Sequence, residues 1–194
     1  KNNLIYYQMP SGYMPRVALG YSIAYLLLIF EDLNNSKIKY FEILTKVVRE
    51  LNNLSIIYSD LKKTNPSIIF ADKIYNKFNL LYTSACMEVI GLRFRAQLAE
   101  NSKILSSHYI FPEQNHNEIE GFEKLYINNL NIIWIDDISL HPQIKERFVA
   151  TAKLLDDKIS QETLKFNNDS YYVRIFSLIY FLDWVSYYCA IKND

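Results

Sequence analysis

The chain has 194 residues, enough for one domain or one domain with extra segments at its ends. Half of them are hydrophobic and 15% aromatic, which supports a buried core and excludes a disordered chain. Lys plus Arg and Asp plus Glu both number 21, a neutral balance that argues against nucleic acid or an anionic membrane as partner while leaving room for a local phosphate pocket.

Leu4-Ile5-Tyr6-Tyr7 reads as a short strand closed by Pro10 and the Ser11-Gly12 turn. A helix is expected over Arg16 to Leu33, with Pro15 suited to its first turn. Asn34-Asn35-Ser36 caps a second helix, in which Phe41, Leu44, Val47, Val48 and Leu51 recur at threes and fours. A third helical stretch runs to about Leu61, before Thr64-Asn65-Pro66, and Ile68 to Phe78 reads as another helix.

From residue 80 the rhythm changes. Strands are expected at Leu80–Thr83, Ser106–Phe111, Leu130–Ile135 and Gln161–Phe166. They alternate with helices at Met87–Leu98, His116–Lys124, His141–Leu155 and Tyr171–Ile191. This alternation predicts parallel βαβ units covered by helices on both faces. Only four glycines occur and no Gly-rich phosphate loop can be drawn, which argues against an ordinary dinucleotide-binding fold.

The other residue types narrow the field further. Cys86 and Cys189 stand in apolar surroundings and read as core thiols of a cytosolic protein. His108, His116 and His141 have no Cys or Glu at metal-ligand spacing. Val17 to Phe30 is too short to span a membrane, and Val173 to Ile191 carries Asp183, so both read as buried helices. Lys1 is not an initiator methionine, which suggests a start inside a longer protein or after processing.

Three segments carry candidate chemistry. In Pro10-Ser11-Gly12-Tyr13-Met14-Pro15-Arg16, an arginine in the first turn of a helix behind a Pro-bounded turn can meet an anionic or polyhydroxy ligand. The plain alternative is a surface arginine. In Leu92-Arg93-Phe94-Arg95-Ala96-Gln97-Leu98-Ala99-Glu100-Asn101-Ser102-Lys103, Glu100 ends a helix and stands against its dipole, as suits a general base. A solvated glutamate on a charged face fits the same pattern. In Phe111-Pro112-Glu113-Gln114-Asn115-His116-Asn117-Glu118, a histidine between two asparagines opens a helix, where it can give or take a proton near neutral pH. The same residues read as a capping box, with Asn115 at the N-cap and Glu118 at N3.

Taken together, residues 10–16, 92–103 and 112–118, with the closing Leu182-Asp183-Trp184-Val185-Ser186-Tyr187-Tyr188, resemble the bifunctional phosphoglucose/phosphomannose isomerases of the sugar-isomerase (SIS) superfamily. The resemblance spans nearly the whole chain, in order. It implies an α/β fold: a SIS-type three-layer αβα sandwich with a parallel sheet of five strands, preceded by helical segments. Residues 1–65 would be linker and helices leading from an N-terminal SIS domain absent here, and residues 66–194 the C-terminal SIS domain. The implied activity is aldose–ketose isomerisation of sugar 6-phosphates through a cis-enediol. Arg16 would stabilise the enediolate, Glu100 would move the proton between C1 and C2, and His116 would help open the sugar ring from the other subunit of a homodimer. No metal or organic cofactor is implied, and neither nucleic acid nor membrane is a partner.

Two departures qualify the transfer. The Ser/Thr residues with which the family binds phosphate are expected in an N-terminal domain outside this sequence, and the family's catalytic lysine is expected in a segment near the C-terminus, beyond Asp194; Lys192 is a poor substitute. The chain is therefore expected to need its other half for turnover. A SIS domain that senses sugar phosphates without a base, or a structural dimerisation domain, are the alternatives.

Overall fold

The computed structural model describes residues 6–33, 37–124 and 128–193. The chain forms two compact units, residues 1–49 and residues 50–194.

In the first unit, Gly12 takes a φ of +90°, which the turn after Pro10 requires of a residue without a Cβ. Pro15 opens a single 3₁₀ turn, Pro15–Val17, and α1 begins only at Leu19 and runs to Leu33. Arg16 thus sits in the 3₁₀ turn, not in the first turn of an α-helix. Tyr6 and Tyr7 form no strand. The expected cap at Asn34-Asn35-Ser36 lies outside the described residues.

Helix α2, Tyr40–Tyr58, absorbs most of what the sequence presented as two helices. Asn65 explains where the next element starts. Its side chain accepts from the Ser67 amide at 2.8 Å and donates to the Tyr58 and Asp60 carbonyls at 2.7 Å each. With Pro66 at the first position, this is an efficient helix start, and α3 runs Pro66–Ile74. Phe78, expected at the end of that helix, instead opens a strand.

The second unit carries four parallel strands: β1 Phe78–Ser84, β2 Ser106–Phe111, β3 Leu130–Asp136 and β4 Ser160–Lys165. Their order is β2-β1-β3-β4, in registers pairing Ser84 with Phe111 and Thr83 with Ile135. Four strands among the described residues replace the five implied by the resemblance. Helix α4, Glu88–Ser102, connects β1 to β2. A short α5, Glu113–Asn117, and a 3₁₀ turn, Ile119–Glu123, follow β2. Helix α6, Pro142–Leu155, connects β3 to β4, and α7, Tyr171–Ile191, closes the unit.

Side-chain alternation along the strands divides the core in two. Leu81, Ile133 and Ile135 face α3, α4 and α7, packing with Phe70, Phe94, Leu98 and Val185. Tyr82, Ile132 and Trp134 face the other way, onto Phe122 and onto Phe148 and Leu155 of α6. The result is a helix–sheet–helix sandwich. The central β3 is buried on both faces, so its sequence is almost wholly apolar, whereas edge strand β4 reads Ser-Gln-Glu-Thr-Leu-Lys. Each fully buried Ile contributes roughly 1.5–3 kcal/mol, and Ile132, Ile133 and Ile135 are all of that kind.

Candidate functional site

Helix α4 leaves the carboxyl end of β1 and returns beside the sheet, so its last turn lies at the edge where β2 begins. Glu100 stands in that turn with an exposed side chain. Lys103 stops the helix in a left-handed conformation (φ 56°), and its ammonium donates to the Glu100 carbonyl at 2.8 Å.

Arg93, Gln97, Asn101 and Ser102 of the motif face α7. Arg93 grips Asp183 through two nitrogens, at 3.1 and 2.7 Å, and Gln97 donates to the same carboxylate at 3.0 Å. Asn101 reaches Ser186 Oγ at 3.1 Å, and the Ser102 hydroxyl donates to the Ser186 carbonyl at 2.6 Å. The spacing of 93, 97 and 101 puts these side chains on one helical stripe. The segment at 92–103 and the closing segment at 182–188 are therefore one interlocked pair of helices, and the Glu100 side chain is exposed beside them. Sequence reading singled out Glu100 and passed over Asp183, whose charge inside an apolar helix was the available signal.

His116 lies at the other end of the sheet. It is exposed on α5, directly after the carboxyl end of β2. The expected capping box is not formed: Pro112 occupies the N-cap position, and the helix covers Glu113–Asn117 rather than His116–Lys124. Asn115 donates instead to Thr151 Oγ1 of α6 at 2.8 Å, and Glu118 accepts from the buried Tyr82 hydroxyl at 2.8 Å. Burial raises the Glu118 carboxyl above its ordinary value, while the Tyr82 and Tyr109 hydroxyls pull it partly back. β2 has six residues, or about 20 Å of strand, and it separates His116 from Glu100. Within one copy of this domain the two residues do not meet. Arg16 belongs to the other unit, where it is half-buried.

The strand order reverses between β1 and β3, and in open α/β sheets ligands bind outside the carboxyl ends of the strands at such a point. Here that place holds a buried ion pair that sequence reading missed. Arg174 of α7 donates to Asp137 from Nε at 2.7 Å and from Nη2 at 3.2 Å, and from Nη1 to the Asn168 carbonyl at 2.6 Å. Burial alone would raise the Asp137 carboxyl, but Arg174 and Ser139 together hold it below the ordinary range. Cys86, expected in the core, is exposed beside this point with Sγ 3.0 Å from Ser84 Oγ. Cys189 is buried as expected, its thiol pushed up to about 12 by desolvation. Lys192 pairs with Asp72 and stands over the Tyr75 ring.

Among the described residues, no group of three His, Cys, Asp or Glu could hold a metal ion, and no helix is long and apolar enough to cross a membrane.

Comparison with known proteins gives this geometry its family. Residues 63–194 match the model of the bacterial phosphoglucose isomerase C-terminal SIS domain. The chain is 32% identical to the bifunctional phosphoglucose/phosphomannose isomerase of Caldicellulosiruptor bescii, over 96% of this chain and 57% of that protein. It is 28% identical to the enzyme of the same name from Aquifex aeolicus, over 95% of this chain and 54% of the relative. The chain thus spans little more than half the length of these relatives. Among solved structures, a glucose-6-phosphate isomerase-like protein from Thermus thermophilus superposes with a TM-score of 0.70 at 15% identity, covering 93% of this chain and 58% of that one. Glucosamine-6-phosphate deaminase from Thermotoga maritima gives 0.65 at 13% identity, covering 93% and 53%. These two likenesses show the SIS-type fold. The chain belongs to the family of bacterial phosphoglucose isomerase C-terminal SIS domains.

Proposed function

We propose that this chain is the C-terminal part of a two-SIS-domain cytoplasmic enzyme that interconverts aldose and ketose sugar 6-phosphates, those of glucose, mannose and fructose, through a cis-enediol. Residues 1–65 lead, on this reading, from an N-terminal SIS domain that grips the phosphate. Glu100 removes the proton from one carbon and returns it to its neighbour, and Arg16 stabilises the negative charge that develops on oxygen in between. His116 takes and gives the proton that opens the ring.

The observation that supports this reading best is the separation of Glu100 and His116 by the length of β2. If both act on one substrate, they come from different copies of the chain. A twofold dimer does this naturally, since one surface of each subunit then completes the site of the other. An exposed carboxylate on a helix whose Arg93, Gln97, Asn101 and Ser102 are committed to α7 also suits a base on the outer face.

Replacing Glu100 by Gln in the full-length enzyme tests the assignment. Binding of sugar 6-phosphate is expected to persist while conversion of fructose 6-phosphate to glucose and mannose 6-phosphates falls by about 10²–10⁴-fold. A variant that turns over near the wild-type rate would remove Glu100 from the base role. A full-length wild-type protein that binds sugar phosphate without converting it would favour a sensor.

A further inference from the structure

Helix α5 has only five residues, too few to hold its shape by its own backbone bonds. What holds it are side chains immediately around His116. Gln114, two residues before, is buried; Asn115, one before, is tied to Thr151 on α6 at 2.8 Å. Glu118, two after, is tied to Tyr82 on β1 at 2.8 Å. His116 itself projects from this pinned turn, exposed.

Glu118 also governs the backbone here. Its amide donates to the Gln114 carbonyl at 2.9 Å and closes α5, while its own carbonyl accepts from Gly121 at 2.9 Å and starts the following 3₁₀ turn. The Glu118 backbone is therefore shared by the turn that carries His116 and the turn that follows it. The anchor is also an expensive one. It bonds a tyrosine whose ring packs in one cluster with Phe111, Phe122, Trp134 and Phe148, and its own burial carries a desolvation cost that an apolar side chain would avoid. Tyr82 is fully buried in the central part of the sheet, so its hydroxyl is a fixed reference point.

We propose that Glu118, held by the Tyr82 hydroxyl, is a positioning residue that fixes the orientation of His116 for ring opening. The proposal rests on the ring-opening role given to His116 above. It treats Tyr82 and Glu118 as acting only through His116, without touching the substrate.

The test uses the full-length enzyme at isomerisation equilibrium, with exchange NMR following two rates separately: interconversion of the glucose 6-phosphate anomers, and transfer between C1 and C2. Tyr82→Phe keeps the ring and removes only the hydroxyl. It is expected to slow enzyme-catalysed anomer exchange about ten- to hundredfold, as small misplacements of a reacting group do. Glu118→Ala should do the same. Glu118→Gln, whose amide oxygen still accepts the Tyr82 bond, should stay within about threefold of wild type. In a His116→Ala background, Tyr82→Phe should add nothing, because the two act in series. If His116→Ala leaves anomer exchange untouched, the ring-opening role itself is wrong. If His116→Ala slows it but Tyr82→Phe and Glu118→Ala do not, positioning by Glu118 is wrong and the role of His116 stands. Slowing by Tyr82→Phe that persists undiminished without His116 would overturn the proposal too.

Discussion

Gly91 shows how narrowly single side chains are fitted. A Cβ there would stand 2.2 Å from His108 Cδ2 and 2.5 Å from Nε2, closer than any carbon tolerates. The imidazole cannot easily yield, because its Nε2 lies 2.8 Å from Thr83 Oγ1 on the neighbouring strand. Gly91→Ala is therefore expected to destabilise the protein by about 1–3 kcal/mol in chemical denaturation. Adding His108→Ala should restore most of the loss, and a neutral Gly91→Ala would show that α4 can move away from β2. The Asp137–Arg174 pair gives a prediction in pH. The Asp137 carboxyl is held below the ordinary value of 3.8, so its contribution to stability is present above that value and is lost as pH falls through the lower folded-state value. Asp137→Asn should flatten the acid limb of a melting-temperature profile below about pH 4. Arg174→Met, which strands a buried carboxylate, should cost about 3–5 kcal/mol at neutral pH. If Arg174→Met melts like wild type, water reaches Asp137 and the pair is not the buried clamp described here. None of these residues was picked from sequence. Each matters because of a partner far along the chain, as Gly91 and His108 illustrate, and no local pattern records such a partner.

At the scale of elements, the end of α4 decides where Glu100 stands. The helix stops because Lys103 adopts a left-handed conformation, which residues other than achiral Gly, and to a lesser degree Asn, take at a cost. Lys103→Gly is expected to raise stability by about 0.5–1 kcal/mol, read as a shift in denaturation midpoint with an unchanged m-value. A loss of stability would show that the lysine's bond to the Glu100 carbonyl outweighs the backbone strain. Elements with a clear apolar pattern were legible: α7 is mostly apolar and aromatic over its 21 residues and emerges with the bounds expected, and β2, β3 and α6 agree within a residue or two. Elements set by competition between local signals were not. Phe78 fits a helix end as well as a strand start, and β1 claims it because its amide finds the Asn129 carbonyl at 2.9 Å. Asn115 and Glu118 have the right spacing for a capping box, but Thr151 and Tyr82 offer them better-fixed partners across the fold.

At the scale of the whole molecule, the sheet is the frame on which Glu100 and His116 are spaced. Its centre is β3, buried on both faces, and its amides from Ile132 to Ile135 should exchange with solvent most slowly, opening only with the whole second unit. Exchange in β3 as fast as in edge strand β4 would contradict a sheet covered on both sides. The αβα architecture was legible because βα alternation leaves few other ways to bury apolar strands. The order β2-β1-β3-β4 was not, since a strand sequence carries no mark of which neighbour it pairs with.

By itself, the sequence determined the class of fold, the positions of most strands and helices, and the three segments that resemble a sugar-phosphate isomerase. Those follow from hydrophobic periodicity and from local runs of residues, which are properties of neighbours along the chain. Only the tertiary structure decided that Glu100 and His116 stand at opposite ends of one edge strand, that Asp183 and Asp137 each anchor an arginine, and that Glu118 turns to Tyr82 instead of capping a helix. These depend on which distant residues packing brings within about 3 Å, where hydrogen bonds and ion pairs form.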